Sequence, residues 1–248
     1  MLKIRVIPIL TFNGFALVKT KKFKEPRMVG NPVQAARVYN SRGVDELIFI
    51  DIFASHQNRK INLKMVKDVI KECFMPVGIG GNIQTIDDIN DLLRIGADKV
   101  VIKSNAIENP DFIKEASLFF GAQCISISVD VMKVHNQYVI YHKIPLQIEM
   151  NDFILKMQSL GAGEIILNSV ENDGMMQGFN VELFKSLDPS ISIPIVFVGG
   201  GGNLTHYNEL FSQTNCEAVG SASIFHFTQY TPLDIKNTLK EIGKPVRV

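Results

Sequence analysis

Neither sign of charge dominates this chain. Its 26 lysines and arginines meet 25 aspartates and glutamates, for a formal net charge of +1. It has no basic stripe and no acidic tail, which argues against nucleic acid or a membrane surface as the main partner and leaves room for a local anion site. Cysteine is scarce: Cys73, Cys124 and Cys216 lie far apart, with no Cys-x-x-Cys or Cys/His spacing. A disulfide framework is therefore not expected, and reduced thiols of a cytosolic protein are. The five histidines, His56, His135, His142, His206 and His226, form no metal-ligand pattern, so neither a metal nor a cofactor is expected. Long apolar runs are missing as well, and nothing approaches the ~18 residues of a membrane span. The opening run, residues 4–10, is too short for a secretory core and has no small-residue cleavage site. The expectation is a soluble, cytoplasmic protein.

What the chain does have is a series of short, almost wholly apolar runs at residues 4–10, 47–52, 77–79, 100–102, 125–129, 165–167, 195–198 and 218–220. Runs of this kind, rich in Ile and Val, are what strands buried on both faces look like. Amphipathic segments separate them. Asn31-Pro32 opens one as N-cap and first helical residue, and Gly43 closes it. Asn109-Pro110 repeats that opening before residues 112–120 and Gly121, and further helices are expected near 61–73, 84–95, 151–160, 180–187, 205–213 and 232–242. Eight strands alternating with eight helices predict an α/β fold, a single (β/α)8 TIM barrel over residues 1–248. An open doubly wound sheet would carry a glycine-rich fingerprint after its first strand, and residues 11–20 contain only Gly14. Two segments fall outside the alternation. Residues 12–30 read as a long basic loop with Lys19, Lys21, Lys22, Lys24 and Arg27, and residues 131–143 read as a β-hairpin turning at His135-Asn136-Gln137.

The chain also repeats itself. Residues 42–51, RGVDELIFID, return at 160–169 as LGAGEIILNS. A spacing of roughly half the chain also maps Gly80-Gly81 onto Gly199-Gly200, Lys103-Ser104 onto Ser221-Ala222, and Thr11 onto Asp130. Two similar half-barrels, about 1–120 and 121–248, would account for this, and a position where the halves disagree is where chemistry has been lost or moved.

In a barrel the active face lies at the C-terminal ends of the strands. Gly199-Gly200-Gly201-Gly202 follows the seventh strand; Ala222-Ser223 follows the eighth and opens a helix-like segment. Glycine backbone N–H groups and a helix N-terminus suit a phosphate. The first half offers a matching cradle in Gly80-Gly81-Asn82 and Lys103-Ser104, so the ligand expected is a phosphorylated small molecule, elongated, with a phosphate at each end. Lys103 could pair with a phosphate or plug the mouth. Asp51, Asp130 and Asp173 stand where a carboxylate can serve as general base or acid, or simply cap a loop. Thr11 lies opposite Asp130, and a hydroxyl cannot exchange a proton usefully near neutral pH. At the other end Arg5, Glu46, Lys99 and Glu164 begin four strands and can form a self-neutralising ring, either a plug or a gate for a small neutral molecule.

These stretches, with Ile7-Pro8-Ile9-Leu10, Asp45-Glu46-Leu47-Ile48-Phe49-Ile50-Asp51, Gly96-Ala97-Asp98-Lys99-Val100 and Ser223-Ile224-Phe225-His226-Phe227, resemble the HisF-type cyclase subunits of imidazole glycerol phosphate synthase over essentially the whole chain. The resemblance implies a lyase-type synthase subunit of a glutamine amidotransferase, supplied with ammonia through the barrel by a HisH-like glutaminase. It implies that Arg5, Glu46, Lys99 and Glu164 are the ammonia gate and that Asp98 faces the glutaminase. It also places Lys19 on a mobile loop over the substrate and makes Asp130 one of a catalytic aspartate pair. Three positions depart from the family pattern: Thr11 stands for the other catalytic Asp, Asn82 for a glycine and Lys103 for an Asn. An intact gate beneath an altered top is similar to paralogous copies that accompany N-acetyl-sugar amidotransferases, where the barrel supplies ammonia for an acetamidino sugar of a surface glycan. The alternatives are an authentic histidine-biosynthesis cyclase and a phosphosugar isomerase barrel, which would not explain the charged ring.

Overall fold

A computed structural model describes residues 3–247. Twelve strands run in chain order: β1 (Arg5–Phe12), β2 (Leu17–Lys21), β3 (Lys24–Gly30), β4 (Leu47–Asp51), β5 (Val77–Gly80), β6 (Lys99–Ile102), β7 (Ile125–Val134), β8 (Gln137–His142), β9 (Ile144–Glu149), β10 (Glu164–Ser169), β11 (Ile195–Val198) and β12 (Ala218–Ser221). Eight of them, β1, β4, β5, β6, β7, β10, β11 and β12, pair in parallel in that order, and β12 closes on β1 with Arg5 beside Ala218. The expected (β/α)8 barrel is therefore present.

Both faces of each barrel strand are buried, which is why the runs read as continuous hydrophobics. In β1, Val6, Leu10 and Phe12 join the large cluster between barrel and helices. Ile7 and Ile9, pointing the other way, join Ile48, Val101, Ile166, Val196 and Ala218 in a second cluster inside the barrel. Helices Pro32–Ser41, Leu63–Ile70, Ile86–Arg94, Asp111–Phe120, Met150–Ser159, Val181–Lys185 and Leu204–Gln213 lie between successive barrel strands, and Pro232–Glu241 follows β12. Asn31 caps the first as expected, its side chain accepting from the Val33 and Gln34 N–H groups. Asn109 makes no such cap. A short helix, Ser104–Glu108, ends on it, and its N–H is spent on the Asn105 carbonyl. Among the described residues no helix is long and apolar enough to cross a membrane.

Residues 12–30 are not a loop. β2 and β3 form an antiparallel hairpin standing on the end of β1, with Phe12 paired to Leu17. Lys22 and Phe23 turn it at φ 49° and 61°. The lysines hide the strand pattern because β3 is a solvent-facing edge, where charge and Pro26 protect the open ladder. The second expected hairpin is present: β7 runs on past the barrel rim and turns into β8 at His135 and Asn136, both at positive φ. A third strand, β9, extends that arm and was not anticipated.

Candidate functional site

The C-terminal ends of the barrel strands surround a cavity of about 660 Å³. Its wall includes Thr11, Lys19, Asp51, Lys103, Asp130 and Asp173, brought together from five barrel strands and their extensions. Gly81, Asn82 and Ser104 line one side, and Gly199, Gly200, Gly201, Ala222 and Ser223 line another. Gly80 sits back within β5, where a Cβ would meet the Val101 carbonyl at 3.0 Å. The glycine run after β11 is explained in part by packing. A Cβ on Gly200 would lie 2.0 Å from the Gly178 carbonyl oxygen, and one on Gly202 2.3 Å from that of Met176. The loop after β10 is thus seated directly on this glycine backbone.

Thr11 and Asp130 occupy β1 and β7, which are four strands apart by either route round the barrel. The Thr11 hydroxyl donates to the Val18 carbonyl of its own hairpin. Asp130 is buried, ion-paired with Lys103, and accepts a hydrogen bond from Asn168 Nδ2 at 3.2 Å. Lys103 was expected to pair with a phosphate or plug the mouth; in the structure its ammonium is the partner of Asp130. Its ammonium also lies 5.5 Å from the centroid of the Phe23 ring, which packs 5.9 Å from that of Tyr141. The two hairpins therefore meet over the cavity.

Asp173 is buried and accepts from Thr20 Oγ1 at 3.3 Å. Burial pushes its carboxyl above the usual range, Lys19 draws it back, and the charge of Asp130 adds to the rise. His226 is pushed down to about 4, first by burial and then by Lys19. Asp51 is engaged structurally. It takes two bonds from Arg59, at 2.6 and 3.0 Å, and caps the Phe53 and Ala54 N–H groups.

At the opposite end the four charged residues close into a ring. Arg5 reaches Glu46 at 2.8 Å and Glu164 at 2.6 Å, while Lys99 reaches Glu46 at 2.7 Å and Glu164 at 2.8 Å. The Lys99 contact to Glu46 Oε1 is electrostatic and not a directed hydrogen bond. Ser126 adds a bond to Glu164 at 3.2 Å. Burial alone would raise the Glu164 carboxyl, but Arg5 and Lys99 outweigh it and hold the group below its ordinary value. Asp98 is exposed beside this ring, with one oxygen accepting the Val77 N–H at 2.8 Å. Between the ring and the cavity lies the apolar inner cluster.

Sequence reasoning missed Arg59, Phe23, Tyr141 and Asn168. Only Asn168 left a signal: it directly follows the apolar run 165–167, and the internal repeat sets this amide against the apolar Ile50.

Residues 5–231 match the sequence family described as histidine biosynthesis protein. Over its whole length the chain is 40% identical to the imidazole glycerol phosphate synthase subunit HisF of Staphylococcus saprophyticus and 36% identical to that of Clostridium botulinum, each aligned over its full length. A barrel with this charged ring, these two glycine-lined walls and that full-length likeness belongs to the histidine biosynthesis protein family, among its HisF-type members.

Proposed function

We propose that the chain is the synthase subunit of a glutamine amidotransferase, accepting ammonia at its base from a HisH-like glutaminase. The observation that carries this reading is the axial order of the barrel: charged ring, apolar interior, then polar cavity between two glycine-lined walls. A neutral molecule as small as ammonia suits an apolar interior, whereas an ion does not. The two walls suit a ligand with a phosphate at each end, with Lys19 over the middle and Asp130 as the general base.

The finer reading is that this copy serves acetamidino-sugar formation. It is supported by Thr11, whose proton is committed to the Val18 carbonyl, and by Lys103, which neutralises Asp130. Ring closure by an aspartate pair would be weakened at both members. The reading of an ordinary cyclase of histidine biosynthesis is favoured by one observation, the full-length identity to subunits named HisF. In either case the barrel is one unit with two half-barrels, and it works in the cytoplasm as part of a heterodimer.

The deciding experiment supplies the bisphosphorylated ribulosyl intermediate with excess ammonium and follows its disappearance. Negligible turnover that appears in Thr11→Asp supports the sugar-amidation reading. Turnover at the rate of an ordinary cyclase, indifferent to Thr11→Asp, rejects it in favour of histidine biosynthesis.

A further inference from the structure

The base of the barrel holds a second buried ion pair, outside the ring. Lys236, on helix Pro232–Glu241, is 3% exposed, and lysine is among the residues least often buried without a partner. Its ammonium lies 2.9 Å from Asp45 Oδ1 and donates to the Gly43 carbonyl at 3.2 Å. The other oxygen of Asp45 accepts the Val6 N–H at 3.0 Å. Asp45 immediately precedes Glu46, and Val6 immediately follows Arg5. The clasp therefore grips the two strand ends that carry the Arg5–Glu46 side of the ring.

The backbone shows why a clasp is needed at this seam. β1 and β4 are in register from Ile9 beside Ile48 to Phe12 beside Asp51, and the pairing goes no lower. Pro8 is next and has no N–H to give, so the ladder stops there. Val6, two residues further down and facing the same way, would be left with no β4 partner; the Asp45 carboxylate supplies one. The β5–β6 seam, two further round the barrel, differs. Asp98 likewise accepts the Val77 N–H, but β5 and β6 stay paired down to Gly78 beside Lys99, so backbone pairing reaches the ring there. Asp98 has no buried lysine behind it among the described ion pairs.

We infer that Lys236 is a positioning residue of the ring: through Asp45 it fixes the ends of β1 and β4, and with them the Arg5–Glu46 pair. An apolar residue would be enough to seat the helix on the barrel. A charge held by one carboxylate oxygen and one carbonyl fixes direction as well, leaving the second carboxylate oxygen free for Val6. The consequence for ammonia transfer rests on the function proposed above, whereas the placement of the strand ends does not.

The test uses the full chain with its glutaminase partner, comparing Lys236→Met, the double variant Asp45→Ala/Lys236→Met, and Lys236→Arg. The double variant leaves no unpaired buried charge and so guards against loss of folding. Hydrogen exchange followed by NMR reads the Val6 amide and the Arg5 Nη–H groups that donate to Glu46 and Glu164, with the Leu10 amide as control. We expect exchange at Val6 and Arg5 to accelerate together by about tenfold or more in the double variant, with Leu10 unchanged and Lys236→Arg restoring most of the protection. Glutamine-derived ammonia should then be captured less completely, while the rate with added ammonium stays at the wild-type value. The inference is overturned if Arg5 keeps its protection, or if capture is unchanged in a complex whose Arg5→Ala variant does leak. If the wild type captures no glutamine-derived ammonia, the ammonia reading fails, and the exchange data still decide the positioning role.

Discussion

The two charged ends of the barrel use the same kinds of residue to opposite effect. At the base two cations and two carboxylates contact one another in a closed circuit, and each carboxylate meets both cations. At the mouth the charges are left uneven. Lys103 is spent on Asp130, but Lys19 and Asp173 face the cavity with no comparable ring of partners, and burial lifts the Asp173 carboxyl. Closed satisfaction makes a durable structure, whereas incomplete satisfaction leaves charge for a ligand to complete. This difference teaches that formal charge at a barrel end says little until the pairing is known.

The comparison can be broken by removing one group from each end. Asp130→Asn should lower turnover of the physiological reaction by about 10²–10⁴, with a smaller loss of thermal stability than at the base because its partner Lys103 is more open to solvent than Lys99, measured by steady-state kinetics beside calorimetry. Glu164→Gln should do the reverse. Leaving Arg5 and Lys99 short of a buried counter-charge should cost about 3–5 kcal/mol in chemical denaturation, with ammonium-driven turnover near wild type. Equal effects on stability at the two ends would erase the distinction. Gly200→Ala forces a Cβ against the Gly178 carbonyl and should cost about 1–3 kcal/mol, with weaker binding of inorganic phosphate by calorimetric titration.

The smallest effect concerns pH. His226 titrates near 4 in the folded chain and near its ordinary value when unfolded, so the unfolded state binds the extra proton between about pH 4 and 6.5. Stability should therefore fall as pH drops through that window. With its partial exposure discounted, the contribution is about 1–2 kcal/mol, and His226→Gln should flatten this part of the stability profile.

The barrel was legible because its strands read as continuous apolar runs and all but one of its eight main helices carry side-chain caps, both of which are local properties of the sequence. The β2–β3 hairpin was not, because its alternation is masked by edge-strand charges that only tertiary position explains. Among the candidate site residues, those just past an apolar run could be read directly, since strand ends face the mouth. Their pairings could not: Arg59 on Asp51, Lys103 on Asp130 and Lys236 on Asp45 join residues whose partnership depends on closure of the barrel. The Asn109 cap failed because a short helix ends on the residue that sequence reads as a beginning.

The apolar inner cluster has one more consequence. Ile7, Ile9, Ile48, Val101, Ile166 and Val196 offer no side-chain donor or acceptor along the interior. These side chains solvate no ion of either sign, but the sleeve is broken on one strand: Ser126, bonded to Glu164 of the ring, and Ser128, on the cavity wall, place hydroxyls on the same inward face of β7 as Asp130. Hydrocarbon thus separates base from mouth along most of the wall, and β7 is the side of the barrel on which polar groups run from one end to the other.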